Sequence, residues 1–348
     1  MWYKRSEGQK RYSFFFSSTT LAGAFGGLVA SGIGKMDGKR GIEAWRWIFI
    51  LEGVLTCVIA IALFFTLPDF PETARWVTED ERRYVQARLR IDQGRSAADR
   101  KITMKDVVRF YKDPMTFIGG LMYFGMVMPA YSKLSPQSCY SVITTDAHGV
   151  GYAYFSPSII RTYGYSPIQT QLYSVPPWAA AFGFSMTVAY LSDRLRHRFL
   201  FTVVPICVAI TGCSILLAVH NNRNVQYGAL FLVAMGTYSA MPVIICWYSM
   251  NLGGHHRRAI GTAWQLGFGN IGGIIATYSF LAKDAPRYTP GYSICVTWLA
   301  LSVICCTLYF VAIWRQNRSR DRDEKNTNLT EAEKEELGDL SPDYRYLL

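Results

Sequence analysis

Residues 255–282 read HHRRAIGTAWQLGFGNIGGIIATYSFLA, a basic cluster that runs into a long apolar segment. The apolar part contains one Gln, one Asn and several glycines, namely Gly261, Gly267, Gly269, Gly272 and Gly273. A soluble helix could not carry so many glycines, because each costs ~1 kcal/mol relative to alanine. In a membrane, by contrast, small residues let neighbouring helices approach closely. The stretch therefore predicts a membrane-spanning helix that packs tightly on its neighbours.

A fainter copy of this pattern lies near the start of the chain. Residues 2–27 and residues 247–273 both run from an aromatic pair through a basic loop and an apolar segment to a double glycine. Two copies of one loop and helix, far apart in the sequence, suggest a protein built from repeated halves. Secondary transporters are built in this way.

The composition supports a membrane protein. Half of the residues are apolar and 15% are aromatic, while the net charge is +11. The basic residues crowd the ends of apolar segments, which favours membrane topology over a nucleic-acid partner. Of the 8 cysteines, all but Cys139 fall inside apolar segments. Their spacing indicates neither a disulfide framework nor a zinc site, and no cofactor is expected.

Eight membrane spans are predicted from apolar windows with almost no charge. They are residues 12–34, 45–67, 117–131 joined to 152–160, 172–192, 199–219, 225–250, 259–282 and 292–314. Lys and Arg are concentrated in the loops of one side, which include 1–11, 193–198 and 251–258, although 35–46 on the other side is also basic. The bias places the first set and the C-terminus in the cytoplasm.

Four regions follow from these spans. Residues 1–67 hold two spans of an N-terminal bundle, 68–114 form a cytoplasmic linker, 115–314 form a six-helix bundle, and 315–348 form a cytoplasmic tail. In the linker, Thr78 is followed by acidic residues and predicts a helix start, and a second short helix is expected at 103–111. The tail is expected to be disordered apart from a short helix at 330–337.

Residues 132–151 interrupt the third span. Residues 115–130 alone are too short to cross ~30 Å of hydrocarbon, but joining 117–131 to 152–160 restores a full span. We therefore hypothesise a retained intron, because the codons of Ser132-Lys133 and Val150-Gly151 can encode splice signals. The alternative is a genuine loop between a half-helix and an extended segment, which would need protein or water around it.

Several motifs resemble the major facilitator superfamily and, within it, the fungal anion:cation symporters, also called the allantoate permease family. The matching motifs are WRWIFILEG (45–53), PDFPE (68–72), VTEDERR (77–83), GYSPIQTQLYSVPP (164–177), SDRLRHR (192–198), RRAIGTAWQ (257–265), GNIGG (269–273) and LGDLSPDYRYLL (337–348). Each motif is weak by itself, but the ordered set covers most of the chain outside 132–151.

The resemblance implies a fold of twelve helices in two six-helix halves. The eight spans would be helices 5–12, so that the first helices of the fold are lacking, as in a truncated gene model. The implied function is secondary active transport of a small organic anion, a carboxylate or vitamin-like compound, with protons and by alternating access, in the plasma membrane. The alternative is a truncated, non-transporting remnant or a membrane sensor. A membrane enzyme is not expected, because no cluster of histidines or carboxylates lies at one membrane face.

Glu52 is the first candidate functional residue, because an acidic residue inside a span is costly and often functional. Proton coupling is one interpretation, and a structural pairing with an arginine such as Arg46 is the other. The family motif implies that Asp193, Arg194 and Arg196 form a charge latch between conformations, and solvated loop charges are the alternative.

Further polar and aromatic residues could line a cavity for the anion. The candidates are Tyr123, Tyr154, Arg161, Tyr238, Gln265 and Asn270. Arg161 could attract an anionic substrate, or it could be an interfacial arginine whose head reaches the water. Gln265 and Asn270 could instead form hydrogen bonds between helices, and the tyrosines could simply pack among aromatic neighbours. The paired His255 and His256 lack a second histidine cluster, so a metal site is not expected.

Overall fold

The computed structural model describes residues 7–67, 76–93, 104–132, 167–253, 255–279, 288–323 and 344–348, together with Tyr3 and Ala74. These residues form helices joined by short connections, and no strand occurs among them. The helices are α1 (Gly8–Gly34), α2 (Ala44–Thr66), α3 (Glu79–Gln93), α4 (Met104–Tyr111), α5 (Pro114–Ser132), α6 (Pro167–Leu195), α7 (Arg198–Ala218), α8 (Arg223–Asn251), α9 (His255–Ser279) and α10 (Thr289–Asp323). A short 3₁₀ turn, Lys39–Gly41, precedes α2.

Within the described residues, helices occupy the positions of the predicted spans, while the 152–160 part of the third span lies outside those residues. Within the described ranges, α1, α2, α7, α8 and α10 are long and apolar enough to cross a bilayer. Helices α6 and α9 are also long, but they carry more polar and small residues, while α5 has a shorter apolar stretch. Apart from its first and last turns, a helix satisfies its main-chain hydrogen bonds internally, which is why spans in lipid take this form.

Helix α8 lies at the centre of the bundle. It packs against α7, α6, α1 and α5, and every residue from 239 to 253 is buried. Helix α5 packs against α9 and α10, and α1 packs along α6. By contrast, α2 contacts α1 and leaves nearly all of its apolar side chains exposed.

Small residues set the closest approach between helices. At Gly236 of α8, an added Cβ would clash with the main-chain oxygen of Pro205 and lie 2.5 Å from the main-chain nitrogen of Ala209 on α7. At Gly212 of α7, an added Cβ would lie 2.8 Å from the main-chain nitrogen of Val233. The two backbones therefore touch at glycine, as expected for helix packing in membranes.

The start of α3 matches the predicted cap at Thr78. The main-chain N–H and the hydroxyl of Thr78 donate to Glu81 Oε2 at 3.1 and 2.7 Å. Glu81 thus supplies the carboxylate half of a capping box, in which the third helical residue reaches back to the main-chain N–H of the cap. The Thr78 hydroxyl bond and then its main-chain bond lower the pKa of the Glu81 carboxyl.

The C-terminal region differs from the expectation of a disordered tail. Helix α10 continues beyond the predicted end of its span to Asp323, and residues 344–348 lie against the bundle, with Tyr344 buried. The helix predicted at 330–337 lies outside the described residues. Of the predicted foreign segment 132–151, Ser132 is the last residue of α5 and the rest lies outside the described residues.

Candidate functional site

One end of the bundle, here called the basic end, gathers the starts of α1, α7 and α9 with the ends of α6 and α8. Contacts among these helix termini define it: the start of α1 meets the end of α6, and the start of α9 meets the end of α8. The arginine-rich loops of the sequence lie here. The basic end is therefore where charged side chains can join helices that are distant in sequence.

Asp193, at the end of α6, is the centre of the first contact. Its Oδ1 accepts a hydrogen bond from Arg198 Nη2 at 2.7 Å, and its Oδ2 accepts one from the main-chain N–H of Lys10 at 3.1 Å. The Asp193 and Arg198 side chains are only 7% and 4% exposed. Lys10 lies in the first turn of α1, where main-chain N–H groups lack helical partners and favour a negative charge. One carboxylate thus joins α1, α6 and α7.

The turn between α6 and α7 makes this contact possible. Arg196 has a φ of 55°, which turns the chain so that Arg198 comes back to Asp193. Arg198 Nη1 also donates to Ser192 Oγ at 3.0 Å. Arg194 and Arg196, named with Asp193 as the predicted latch, are exposed. The geometry therefore assigns the buried partner of Asp193 to Arg198, which the sequence analysis did not single out.

A second ion pair lies at the same end. Arg257 Nη2 is 3.2 Å from Asp113 Oδ2 and joins the start of α9 to the connection before α5. Its neighbour Arg258 is buried and donates to the main-chain oxygens of Ser249 and Leu252 at 2.9 and 3.3 Å. Arg258 therefore caps the end of α8, a favourable place for a cation.

A polar stripe runs along α1 where that helix packs on α6 and α8. Its buried members are Gln9, Ser13, Ser17 and Thr20. Gln9 Nε2 donates to Ser13 Oγ at 2.9 Å, while Gln9 Oε1 is buried and has no hydrogen-bond partner among the described residues. The spacing of these residues follows one face of a helix, and this was the sequence signal that could have revealed the stripe.

Tyr238 lies on α8 facing α6. Its ring centroid is 4.7 Å from that of Trp178 on α6. Trp178 in turn covers Gly23 of α1, where an added Cβ would lie 2.8 Å from the indole ring. Of the predicted cavity residues, Tyr238 is the one placed at the junction of α1, α6 and α8.

Tyr123 and Gln265 come together at a different interface, between α5 and α9. Gln265 is fully buried and donates from Nε2 to the main-chain oxygen of Gly119 at 3.1 Å, while its Oε1 has no partner among the described residues. The Tyr123 ring packs on Gly269, one turn further along α9. Asn270 is exposed. The interhelical bond anticipated for Gln265 is thus present.

The remaining candidates stand apart from these groups. Glu52 is exposed on α2, and Arg46 lies 3.5 Å from Glu43, not paired with Glu52. Tyr154 and Arg161 lie outside the described residues. No group of His, Cys, Asp or Glu suited to hold a metal occurs in the part of the chain that the structure describes.

A cavity of about 240 Å³ opens at the basic end. The Asp113–Arg257 pair, Tyr248, Asn251 and Tyr346 contribute to its walls. Tyr123, Tyr238, Gln265 and Asn270, the predicted substrate residues that the structure describes, do not line it. The described structure thus shows a polar cavity near the basic end and a separate polar stripe between α1, α6 and α8.

Comparisons with known proteins agree with this architecture. The chain is 29% identical over 363 residues to MFS-type transporter cnsO of Penicillium expansum, covering all of this chain and 66% of that protein. It is 28% identical over 358 residues to Major facilitator-type transporter hxnP of Emericella nidulans, covering all of this chain and 67% of that protein. MFS transporter prlL of an unassigned fungal species is 31% identical over 326 residues, covering 92% of this chain and 62% of that protein.

The chain thus spans about two thirds of the length of these curated relatives. A family model described as Major Facilitator Superfamily matches residues 1–277, from α1 through most of α9. This match agrees with the multi-pass helical architecture. It also covers the contact that joins the starts of α1 and α7 to the end of α6. The chain belongs to the Major Facilitator Superfamily.

Proposed function

We propose that this protein is a secondary active transporter that moves a small organic anion together with protons across a membrane by alternating access. The observation that carries the proposal is the contact of Asp193 with the start of α1. This contact joins the helix pair α1–α2 to the bundle α5–α10 through one carboxylate. It can therefore break and re-form while the helices on either side stay intact, as rigid-body rocking of two halves requires.

The polar stripe of α1 supports a path between the two halves. Gln9, Ser13, Ser17 and Thr20 line the side of α1 that packs on α6 and α8. Separation of the halves would expose these side chains, together with Tyr238 and Trp178, to a common aqueous cleft. Hydroxyl and amide groups in an otherwise apolar cleft suit a small polar ligand.

The substrate class rests on the resemblance to the allantoate permease family. That resemblance points to carboxylates and vitamin-like anions such as allantoate, nicotinate, pantothenate and biotin. Glu52 is the proposed proton-carrying group, because a carboxylate on an apolar helix is costly in lipid. We further propose a plasma-membrane location with the basic end in the cytoplasm, on the strength of the Lys and Arg bias.

Uptake by purified chain in liposomes tests the proposal. Liposomes with a neutral interior and an acidic exterior receive each of the four radiolabelled anions in turn. At least one anion should accumulate above the level of empty liposomes, and a protonophore should abolish the accumulation. Glu52→Gln should remove the dependence on the pH gradient while leaving substrate exchange measurable.

A membrane sensor that binds but does not transport is the second candidate. The cavity at the basic end favours it, because its polar walls could bind a ligand without any movement of the helices. Saturable binding of an anion without accumulation would establish this candidate instead. If folded, monodisperse protein neither binds nor accumulates any of the anions, both candidate functions are contradicted.

A further inference from the structure

The segment Tyr344–Leu348 lies in a groove at the basic end formed by the start of α7, the end of α8 and the end of α10. Each of these helices contributes at least one hydrogen bond to the segment. The sequence that connects α10 to this segment is strongly charged. Such a sequence offers little apolar surface to hold the segment against the bundle. The contacts themselves explain the docking.

Two asparagines hold the main chain of successive residues. Asn317 of α10 donates from Nδ2 to the oxygen of Tyr346 at 3.0 Å and accepts from the N–H of Tyr346 at 2.9 Å. Asn251 of α8 donates to the oxygen of Leu347 at 3.1 Å and accepts from its N–H at 2.7 Å. In extended chain, polar groups of neighbouring residues point to opposite sides. The two amides therefore clasp the segment between α8 and α10.

Further bonds engage the main-chain oxygens of Tyr344, Leu347 and Leu348. Arg320 Nη1 donates to the oxygen of Tyr344 at 2.7 Å, and Trp247 Nε1 donates to the oxygen of Leu347 at 2.8 Å. The main-chain N–H of Arg198, the first residue of α7, donates to the oxygen of Leu348 at 2.7 Å. Polar groups of the groove thus match the main chain of the segment, a pattern used by proteins that bind extended peptides.

Side chains give the groove its register. The Tyr344 hydroxyl lies 3.3 Å from the main-chain oxygens of Met250 and Asn251, where it caps the end of α8. The guanidinium of Arg320 lies over the ring of Tyr346, 4.6 Å from its centroid. Tyr344 and Tyr346 therefore fix the position of the segment along the groove, so that Tyr346 lies at Asn317 and Leu347 lies at Asn251.

We propose that this groove is a built peptide-binding site whose ligand is the chain's own segment 344–348, and that the docked segment is a removable clamp on the ends of α7, α8 and α10. The clamp reaches the contact between the two halves, because Met250, whose main chain Tyr344 caps, lies against Gly8 of α1. The docked Tyr346 also forms part of the wall of the basic-end cavity. Release of the segment would loosen the basic end whether or not the protein transports a solute.

Hydrogen–deuterium exchange on the chain of residues 1–348 tests the clamp. Leu347→Pro removes the N–H that donates to Asn251, whereas the matched control Leu347→Ala keeps it. Loss of each hydrogen bond should weaken docking by a factor of roughly 2–12. In the proline variant, exchange should therefore accelerate at the Tyr346 amide and at the end of α8, and in the alanine variant both should stay close to wild type.

A change in the groove gives an independent arm. Asn251→Ala combined with Asn317→Ala should release the segment as Leu347→Pro does, while Asn221→Ala, an exposed asparagine away from the groove, should not. A fluorescent peptide of residues 339–348 should bind saturably to the Leu347→Pro chain and should fail to bind once both groove asparagines are also replaced.

Two results would overturn the proposal. One is equal release by Leu347→Pro and Leu347→Ala, since the groove would then not recognise main chain. The other is peptide binding that persists after loss of Asn251 and Asn317. If the variant that lacks both groove asparagines is poorly folded, the comparison of Leu347→Pro with Leu347→Ala still tests the proposal, because neither substitution alters the helices.

Discussion

At the scale of single residues, the Asp193 carboxylate should contribute more to the stability of the folded protein than any other charge of its loop. Asp193→Ala leaves the buried Arg198 guanidinium and the Lys10 N–H without their shared acceptor. Removing one partner of a buried ion pair costs about 3–5 kcal/mol. We therefore expect a clear fall in the unfolding temperature of the purified protein. Tryptophan fluorescence recorded during heating measures that temperature.

Arg194→Gln serves as the matched control, because Arg194 is exposed and surface substitutions usually change stability by less than about 0.5 kcal/mol. Equal losses in the two variants would contradict the geometry of the contact. The family motif implied a latch of Asp193 with Arg194 and Arg196, whereas the structure pairs Asp193 with Arg198. Their pairing depends on the positive φ of Arg196, and nothing in an arginine side chain indicates that conformation.

The prediction for Gln265 also shows where sequence reasoning stops. Gln265 is a predicted substrate residue with an interhelical hydrogen bond as the alternative, and the structure shows that bond with Gly119. The sequence could not show whether Gln265 and Tyr238 line the same site. The answer depends on which helices pack against each of these residues. The structure places Gln265 at the α5–α9 interface and Tyr238 opposite Trp178.

At the scale of helices, the contact of α7 with α8 depends on a missing side chain. Gly236→Ala would put a Cβ against the main chain of Pro205 and Ala209. Overpacking of this kind costs about 1–3 kcal/mol. The variant should unfold at lower temperature or in less denaturant than the parent protein.

Gly228→Ala on the same helix is the control, since no atom lies within 4 Å of an added Cβ there. Alanine is the better helix former by ~1 kcal/mol, so this variant should be at least as stable as the parent. A similar loss in both variants would mean that α7 and α8 do not meet at Gly236.

Hydropathy and length were sufficient to predict where the long helices lie, because lipid leaves a span few alternatives to a helix. The same reasoning placed the end of α10 too early. A helix that leaves the membrane need not stop, and residues 315–323 contain no proline or glycine to end it. Docking of residues 344–348 was missed because it needs Asn251 and Asn317, which come from different helices.

At the scale of the whole molecule, the meeting of α1 with α8 at the basic end can be tested by cross-linking. A Cβ added at Gly8 would lie 3.6 Å from Cys246 Sγ, so Gly8→Cys should form a disulfide with Cys246 under mild oxidation. Mass spectrometry of digested protein would detect the cross-linked peptide. If the proposed rocking of the halves occurs, oxidation should also stop uptake, and reduction should restore it.

Gly32→Cys is the control, because space around Gly32 is open, and this variant should not form an internal disulfide. Absence of the cross-link in Gly8→Cys would contradict the observed approach of α1 and α8. The sequence did predict two related halves from the repeat at 2–27 and 247–273. It could not predict which helix of one half would meet which helix of the other, because those contacts join residues far apart in the sequence, such as Lys10 and Asp193, which are 183 positions apart.

The groove that holds residues 344–348 has a consequence for crowded membranes. Because Asn251 and Asn317 bind main-chain groups, they cannot distinguish a molecule's own segment from the same segment of a neighbour. The connecting residues 324–343 could extend to at most ~70 Å. Two adjacent copies could therefore swap segments while keeping every hydrogen bond, and the result would be a reciprocal dimer whose abundance rises with surface density.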